Sequence, residues 1–282
     1  MSTKKNSRQI YHSQRIKEYP VAGVWECLTA SRAIFREPGW EPACDKVLPL
    51  SGHSDGPQAK ASEHTMEGAM RSIRRARVAL RDYALSTEFR YFVTLTLDAT
   101  KVDRFDMLQI TKKMQAWCSN MVQRHGLTYV LVPELHKDGA VHFHGFFNDA
   151  LPVTDSGTVV PPSGGKPKRP RSAAERTALI AAGGHIVYNL PAWTLGFTTA
   201  LELYGEYSKA VGYCCKYIGK QQRDGEIPRK IGGRWYYSGG NLGKPIVRYG
   251  DAIAAEVAES EGAYVFEIPA ARAVFVRETG NY

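Results

Sequence analysis

The chain has 282 residues, enough to bury a full hydrophobic core, and one large domain with appendages is the default expectation. Its formal net charge of +9 favours a polyanionic partner. There is no apolar run of the roughly 18 residues that a membrane span needs, and no apolar stretch follows the basic N-terminus, so we expect neither a membrane contact nor a signal peptide. The five cysteines form no Cys-x-x-Cys pair, which favours reduced thiols in a cytoplasm over disulfides or a zinc finger.

The N-terminal stretch carries no recognisable chemistry. Ala22–Phe35 has the composition of a short helix or two, and the turn-rich stretch Ser51–Pro57 follows it. We therefore expect residues 1–60 to form an accessory segment that is partly disordered.

A helix with a strongly basic side is predicted between Ala61 and Phe89, because the stretch lacks proline and is rich in helix-forming residues. Its arginines either bind the phosphates of a nucleic acid or form a solvated helix face, and the sequence leaves both readings open. The DNA-binding candidates on this helix are Arg71, Arg74 and Arg75.

A strand and a second helix follow. Alternation of β-branched and aromatic residues predicts a strand from Tyr91 to Asp98, in which Phe92, Thr94, Thr96 and Asp98 share one face. That face either borders a site or is simply half buried. Apolar residues at helical spacing then predict an amphipathic helix over Asp103–His125, with the next residue, glycine, as its stop signal.

The next stretch has the pattern of a β-hairpin. Two apolar runs, Tyr129–Leu135 and Val141–Phe147, flank an Asp-Gly pair, which is the strongest short-range signal for a hairpin turn. If the turn centres on Asp138, Glu134 lies directly opposite His142.

Two imidazoles and one carboxylate converge in this predicted hairpin. Side chains alternate along a strand, so His144 projects from the same face as His142, beside Glu134. Such a set of ligands predicts a divalent-metal site with open positions for substrate, although a lone strand histidine is more often a surface or core residue. His136 either joins this face or is a solvated turn residue.

Residues 150–182 have the composition of an insertion that contains a basic loop. This stretch is rich in proline and glycine and either follows a nucleic-acid backbone or is a solvated linker. Ala173–Ala182 predicts a short helix, and His185–Leu190 and Trp193–Leu203 predict strands. The DNA-binding candidates in the loop are Lys166, Lys168, Arg169 and Arg171.

The stretch Tyr207–Lys220 predicts a helix on which Tyr213 and Tyr217 share one face, beside Lys216 and Lys220. One interpretation is an aromatic stripe packed into the core. The other is chemical, because a lysine ammonium favours the phenolate and a divalent ion polarises a phosphoryl oxygen. Together these groups fit attack by a tyrosine on a phosphodiester.

The C-terminal part is less informative. Arg234 and Trp235 lie in a glycine-rich stretch and are candidates for binding DNA, with Trp235 either stacking unpaired bases or packing in a strand. Asp251–Ser260 predicts a short helix, and Ala263–Pro269 and Ala273–Glu278 predict short strands of an edge hairpin.

Three of these stretches, taken in order, resemble the motifs of a known superfamily. The sequences at 92–98, 132–145 and 213–220 resemble those of HUH-superfamily rolling-circle replication initiators, and more narrowly the phage replication-associated proteins of the filamentous-phage gene II type. The resemblance spans roughly residues 70–245.

The resemblance implies an α+β fold with a central antiparallel sheet flanked by helices. Such initiators nick one strand of an origin, keep the 5′ phosphate on a tyrosine and later rejoin the ends using Mg²⁺ or Mn²⁺. By position, His142 and His144 match the histidine pair and Glu134 matches the third ligand. Tyr213 and Tyr217 match the nucleophile motif, in which one or both act. The implied partners are single-stranded origin DNA and the host's replication helicase and polymerase, in the bacterial cytoplasm.

We therefore expect an endonuclease domain at residues 61–250 and a C-terminal helix with short strands at 251–282. A plasmid initiator, a mobilisation relaxase and a single-strand transposase would use the same chemistry. A DNA-binding module that has lost catalysis is the alternative of another class. It predicts that both tyrosines are dispensable.

Overall fold

The computed structural model describes residues 11–30, 33, 35–36, 65–136, 138–203, 207–220, 226–250, 264–268 and 271–277. The spatial contacts between its residues divide the chain into two compact units. The first unit combines residues 1–56 with residues 244–282, and the second is the continuous segment 57–243.

The strands and helices are numbered in chain order. The strands are β1 (Tyr11–His12), β2 (Gln14–Tyr19), β3 (Val24–Ala30), β4 (Phe35–Arg36), β5 (Tyr91–Leu97), β6 (Tyr129–Leu135), β7 (Val141–Phe147), β8 (Thr154–Val160), β9 (His185–Asn189), β10 (Gly196–Glu202), β11 (Tyr237–Gly239), β12 (Ile246–Gly250), β13 (Tyr264–Ile268) and β14 (Ala271–Arg277). The helices are α1 (Met66–Ser86), α2 (Met107–His125), α3 (Ala173–Ala181) and α4 (Tyr207–Tyr217).

The first unit is built on a five-stranded antiparallel sheet with the order β12-β2-β3-β14-β13. The prediction of a helix in Ala22–Phe35 is wrong, because this stretch contains strand β3. Val24, Trp25 and Thr29 favour extended backbone, and β3 has a hydrogen-bonded partner on each side, in β2 and β14. The hairpin predicted near the C-terminus is confirmed by β13 and β14, whereas the helix predicted at Asp251–Ser260 lies outside the described residues.

The second unit is built on a seven-stranded sheet with the order β11-β6-β7-β5-β10-β9-β8, in which every neighbouring pair is antiparallel. Helices flank this sheet. The predicted α+β class is therefore confirmed.

One face of the seven-stranded sheet packs against α2. Ile110, Met114 and Trp117 of the helix share a buried cluster with Val93 and Leu95 of β5. Asp106 caps the start of α2, where its carboxylate accepts from two backbone N–H groups. The helix ends at Gly126, whose φ of 71° is left-handed, so the predicted stop signal is confirmed.

The other face is covered by helices over β6 and β7. Both α1 and α4 contact β6, and α4 also contacts β7. Under them Val130, Val132 and Phe146 are almost completely buried. These helices bring the tyrosine-bearing segment onto the hairpin.

The segment 150–182 contributes more than a loop. Its β8 forms the edge of the seven-stranded sheet by pairing with β9, and the backbone of Lys168 pairs with Val159 of that strand. The predicted helix is confirmed as α3, and β9 and β10 confirm the two predicted strands that follow.

Replacing Gly145 of β7 with alanine should destabilise the second unit. A Cβ at this position would overlap the carbonyl oxygen of Val130 and lie 2.9 Å from the Cα of Leu131, so the paired strand β6 would have to move. We expect a loss of more than about 2 kcal/mol in the free energy of unfolding, measured by chemical denaturation.

The matched control is Gly212→Ala in α4. A Cβ there meets no atom within 4 Å, and alanine favours a helix over glycine by about 0.5–1 kcal/mol. Gly212→Ala should therefore raise the free energy of unfolding. Equal stability of the two variants would contradict this view of the hairpin.

Candidate active site

The predicted register of the β6–β7 hairpin is confirmed. Glu134 pairs directly with His142 across the two strands. At the turn, Gly139 has a φ of 88°, and the Asp138 carboxylate accepts from the backbone N–H of Ala140 at 3.0 Å. The Asp-Gly pair thus sets which residues of the two strands face each other.

The two histidines and the carboxylate lie on the face that α4 covers in part. Nε2 of His144 lies 2.8 Å from Oε2 of Glu134. On the neighbouring strand β5, the hydroxyl of Thr94 lies 3.1 Å from Nδ1 of His144, and the hydroxyl of Thr96 lies 3.2 Å from Nδ1 of His142. Because both Nδ1 atoms have a partner, Nε2 is the ring nitrogen that each histidine offers to the site.

Burial keeps both imidazoles in the form that can coordinate a metal. Burial is the main cause that lowers the pKa of His142 and of His144, and the charge of Glu134 only partly opposes this. Both rings are therefore neutral near pH 7. A neutral imidazole has the free electron pair that a metal ligand needs.

The carboxylate of Glu134 is shared in this arrangement. Nζ of Lys220 lies 2.6 Å from Oε1, while His144 contacts Oε2. Within the described residues, no three His, Cys, Asp or Glu side chains are grouped closely enough to hold one ion together as they stand. The donor types fit a divalent ion, since two imidazoles and one carboxylate lie on one face of the β6–β7 hairpin.

The two tyrosines of α4 differ in exposure. The ring of Tyr217 is 6% exposed and stacks on His144, with ring centres 4.3 Å apart and planes 9° apart. Tyr213 is 52% exposed, and its hydroxyl oxygen accepts from the Tyr217 hydroxyl at 2.7 Å. Burial, together with this hydrogen bond, raises the pKa of Tyr217 well above its usual value.

The candidate lysines lie at the end of the tyrosine helix. Besides its contact with Glu134, Lys220 places Nζ 4.9 Å from the centre of the Tyr217 ring. Lys216 is exposed in the last turn of α4. The structure therefore brings Lys220 to the histidine pair and leaves Lys216 at the surface.

Helix α1 supports the tyrosine helix from behind, a role that the sequence analysis missed. The Arg77 guanidinium donates to the carbonyl oxygen of Ile218 at 2.7 Å, just past the end of α4. The Tyr207 hydroxyl donates to the carbonyl oxygen of Ala84 at 2.6 Å. The arginine-rich composition predicted a basic helix, but nothing in the local sequence shows that Arg77 bonds to a residue 141 positions later.

The predicted DNA-binding residues lie at the surface of the second unit. The candidate arginines of α1 are exposed, and Arg71 also pairs with Glu67 at 3.9 Å. The indole N–H of Trp235 donates to the Ser72 hydroxyl at 2.9 Å, so this ring is half buried against α1. The remaining candidates are exposed: Arg74, Arg75, Lys166, Lys168, Arg169, Arg171 and Arg234.

An open cleft beside Tyr217 brings Arg229 next to two of the predicted DNA-binding residues, Arg234 and Trp235. The cleft is lined by Tyr217, Arg229, Arg234 and Trp235 among others. The two arginines and the tryptophan that line the cleft therefore lie next to the tyrosine helix. Arg229 was not among the predicted residues, because it lies in a polar stretch without a motif.

Two further residues border the hairpin turn. His136 is exposed, and its ring stacks on His142 with centres 5.1 Å apart. Arg104 lies 3.7 Å from the carboxylate of Asp138. Arg104 lies in the connection between β5 and α2, where the sequence has no pattern that points to the site.

Residues 90–222 match a family model described as replication-associated protein, of the ORF2 and gene II protein type. This segment contains β5, the β6–β7 hairpin and α4, which carry the three motifs. The resemblance of this segment to phage replication-associated proteins is confirmed. Comparison with curated proteins and with solved structures gave no match.

Two further findings concern membrane-spanning helices and the cysteines. Among the described residues, no helix is both long and apolar enough to cross a membrane. Cys27, Cys118, Cys214 and Cys215 are free thiols.

Proposed function

We propose that this protein starts rolling-circle replication by nicking single-stranded origin DNA and rejoining it through a covalent 5′-phosphotyrosine. One observation carries the proposal: the ring of Tyr217 stacks on His144, whose Nε2 lies 2.8 Å from Glu134. This contact between the tyrosine helix and the histidine pair supports a site in which the predicted metal ligands and the predicted nucleophile would act together. The match of residues 90–222 to a replication-associated family supports this biological setting.

Glu134, His142 and His144 would hold a divalent ion, either Mg²⁺ or Mn²⁺. The hydroxyls of Thr94 and Thr96 contact Nδ1 of the two histidines, which leaves Nε2 of each ring as the nitrogen that would bind the ion, in His144 in place of its contact with Glu134. When bound there, the ion would polarise a phosphoryl oxygen of the substrate.

Tyr213 is the residue that attacks first in this proposal. It is 52% exposed and reachable by a strand, whereas Tyr217 is 6% exposed beneath it. The Tyr217 hydroxyl donates a hydrogen bond of 2.7 Å to the Tyr213 oxygen, so a donor is already directed at the atom that would attack. Because its own pKa is raised, Tyr217 keeps its proton and remains a donor near neutral pH.

The reaction conserves its covalent bonds and charge. The Tyr213 hydroxyl gives up its proton, its oxygen forms a bond to phosphorus, and the bond from phosphorus to the 3′ oxygen breaks. The 3′ oxygen takes up a proton and leaves as a free hydroxyl, while the 5′ phosphate stays on the tyrosine. Attack by a 3′ hydroxyl on this phosphotyrosine reverses the step and rejoins the strand.

The lysines would offset negative charge on the reacting phosphate. Lys220 lies within 2.6 Å of Glu134 and 4.9 Å of the Tyr217 ring, so its ammonium is next to both halves of the site. Lys216 lies at the exposed surface and would contact the strand outside the site.

The basic residues on α1 and in the loop after β8 would bind the phosphates of the DNA. Their exposure supports this role, and such contacts make binding dependent on salt concentration. The host replication helicase and polymerase would then extend the free 3′ end. A bacterial host cytoplasm is the compartment in which these partners occur.

The experiment that tests the proposal mixes the protein with single-stranded DNA from the origin of its own genome. The mixture contains Mn²⁺ or EDTA, and a denaturing gel resolves covalent protein–DNA adducts. We expect an adduct with Mn²⁺ and none with EDTA. Tight DNA binding without an adduct on any origin fragment would contradict the proposal and favour a DNA-binding module without catalysis.

A further inference from the structure

Phe197 is a large, exposed aromatic side chain near the start of β10. This strand lies between β5 and β9 in the seven-stranded sheet, and β9 pairs with it only at Ala200 and Leu201. The side chain is nevertheless 66% exposed. Packing within the sheet therefore does not explain why an aromatic residue stands at this position.

Phe197 lies in the same cross-strand row as the proposed metal ligands. It pairs with Thr96 of β5, Thr96 pairs with His142 of β7, and His142 pairs with Glu134 of β6. Directly paired residues project from the same face of a sheet. With neighbouring strands about 4.7–4.9 Å apart, Phe197 is about 10 Å from His142 along this row.

The face between His142 and Phe197 is the less covered half of the sheet. The helices α1 and α4 pack over β6 and β7. On β10, both Phe197 and Thr199 are exposed. A single DNA strand bound at the histidine pair could therefore run across β5 to β10 without meeting a covering helix.

A cation with unused hydrogen-bonding capacity lies at the same end of these strands. Nε of Arg104 is buried and has no hydrogen-bond partner among the described residues. Hydrogen bonds from Thr100 lower the pKa of Asp98, and the charge of Arg104 adds to this effect. The backbone N–H of Asp98 bonds to Leu195, directly before β10. The Arg104 guanidinium, which also pairs with Asp138, therefore adds positive charge near Asp98, at this end of the row.

We infer that Phe197 is a stacking platform for an unpaired base of the DNA strand that runs from the histidine pair across β5. The inference deepens the proposed function and rests on its single-stranded substrate. Stacking on an aromatic face tolerates any base, so it suits a contact that holds the strand without reading its sequence.

The test separates base stacking from phosphate contacts. Binding of wild type, Phe197→Ala and Phe197→Trp is measured by fluorescence anisotropy on two probes of equal length. One probe is an oligothymidylate, and the other is a strand of abasic sugar–phosphate units. Leu108→Ala is the matched control, because Leu108 is an exposed apolar residue, at 86%, on α2.

We expect Phe197→Ala to weaken binding of the oligothymidylate about tenfold and to leave binding of the abasic strand unchanged. Phe197→Trp and Leu108→Ala should bind both probes like the wild type. Wild-type binding of both probes by Phe197→Ala would overturn the inference. An equal loss on both probes would overturn it too, since that pattern indicates a phosphate or structural role.

The result does not depend on catalysis. A wild-type protein that forms no adduct on origin DNA but prefers the oligothymidylate through Phe197 would contradict only the proposed chemistry. A protein that forms the adduct with equal ease after Phe197→Ala, and binds both probes as before, would contradict only the stacking platform.

Discussion

Tyr213→Phe should abolish the covalent protein–DNA adduct, with a loss of at least about 10³-fold in the rate of its formation. Phenylalanine keeps the ring but removes the oxygen that attacks phosphorus. The ring is 52% exposed, so the fold should tolerate the change. The measurement is the denaturing gel with origin DNA and Mn²⁺, quantified over time.

Tyr217→Phe is the control that separates the two tyrosines. This change keeps the ring stacked on His144 but removes the hydroxyl that donates to Tyr213. Loss of one donor to the attacking oxygen should slow the first cleavage about 10²-fold without abolishing the adduct. An adduct that survives Tyr213→Phe and is lost in Tyr217→Phe would show that the buried tyrosine attacks first.

His142→Ala should remove both divalent-ion binding and the adduct. The side chain supplies one of two imidazole nitrogens and does not stack on the tyrosine helix, so its loss should spare the nucleophile. Mn²⁺ affinity measured by calorimetry should fall at least about 100-fold, and the adduct should be lost with it.

His136→Ala is the matched control for this prediction. His136 stacks on His142 but is exposed at the turn. Its removal should change the Mn²⁺ affinity less than about threefold, because a solvated residue that only stacks on a ligand contributes little to coordination. Equal losses in the two histidine variants would place His136 among the ligands, and unchanged Mn²⁺ affinity in His142→Ala would rule out the predicted metal site.

Local sequence signals were sufficient for the hairpin and for the tyrosine helix. The Asp-Gly turn between alternating apolar runs determines the register, so the pairing of Glu134 with His142 follows from sequence alone. The spacing of Tyr213 and Tyr217 likewise places them one helical turn apart, where their hydroxyls meet. In both cases the interacting residues are close in the chain.

Contacts between distant segments were beyond the reach of sequence patterns. Lys220 meets Glu134 across 86 positions, and Arg77 meets Ile218 across 141. Lys220, Glu134 and Arg77 are residue types that are common at protein surfaces, and their partners are determined only by the tertiary packing. The same limit explains the wrong helix at Ala22–Phe35, since half of the ladder of β3 comes from β14 near the other end of the chain.

The sheet of the first unit combines strands from two distant segments of the chain, and this determines the order in which the two units can fold during synthesis. Ala30 of β3 pairs with Ala271 of β14, so this ladder forms only after the ribosome has translated the chain beyond residue 271. The second unit ends at Gly243 and contains all strands of its own sheet. The second unit, which carries the histidines and tyrosines, can therefore fold on the nascent chain before β14 is available to pair with β3.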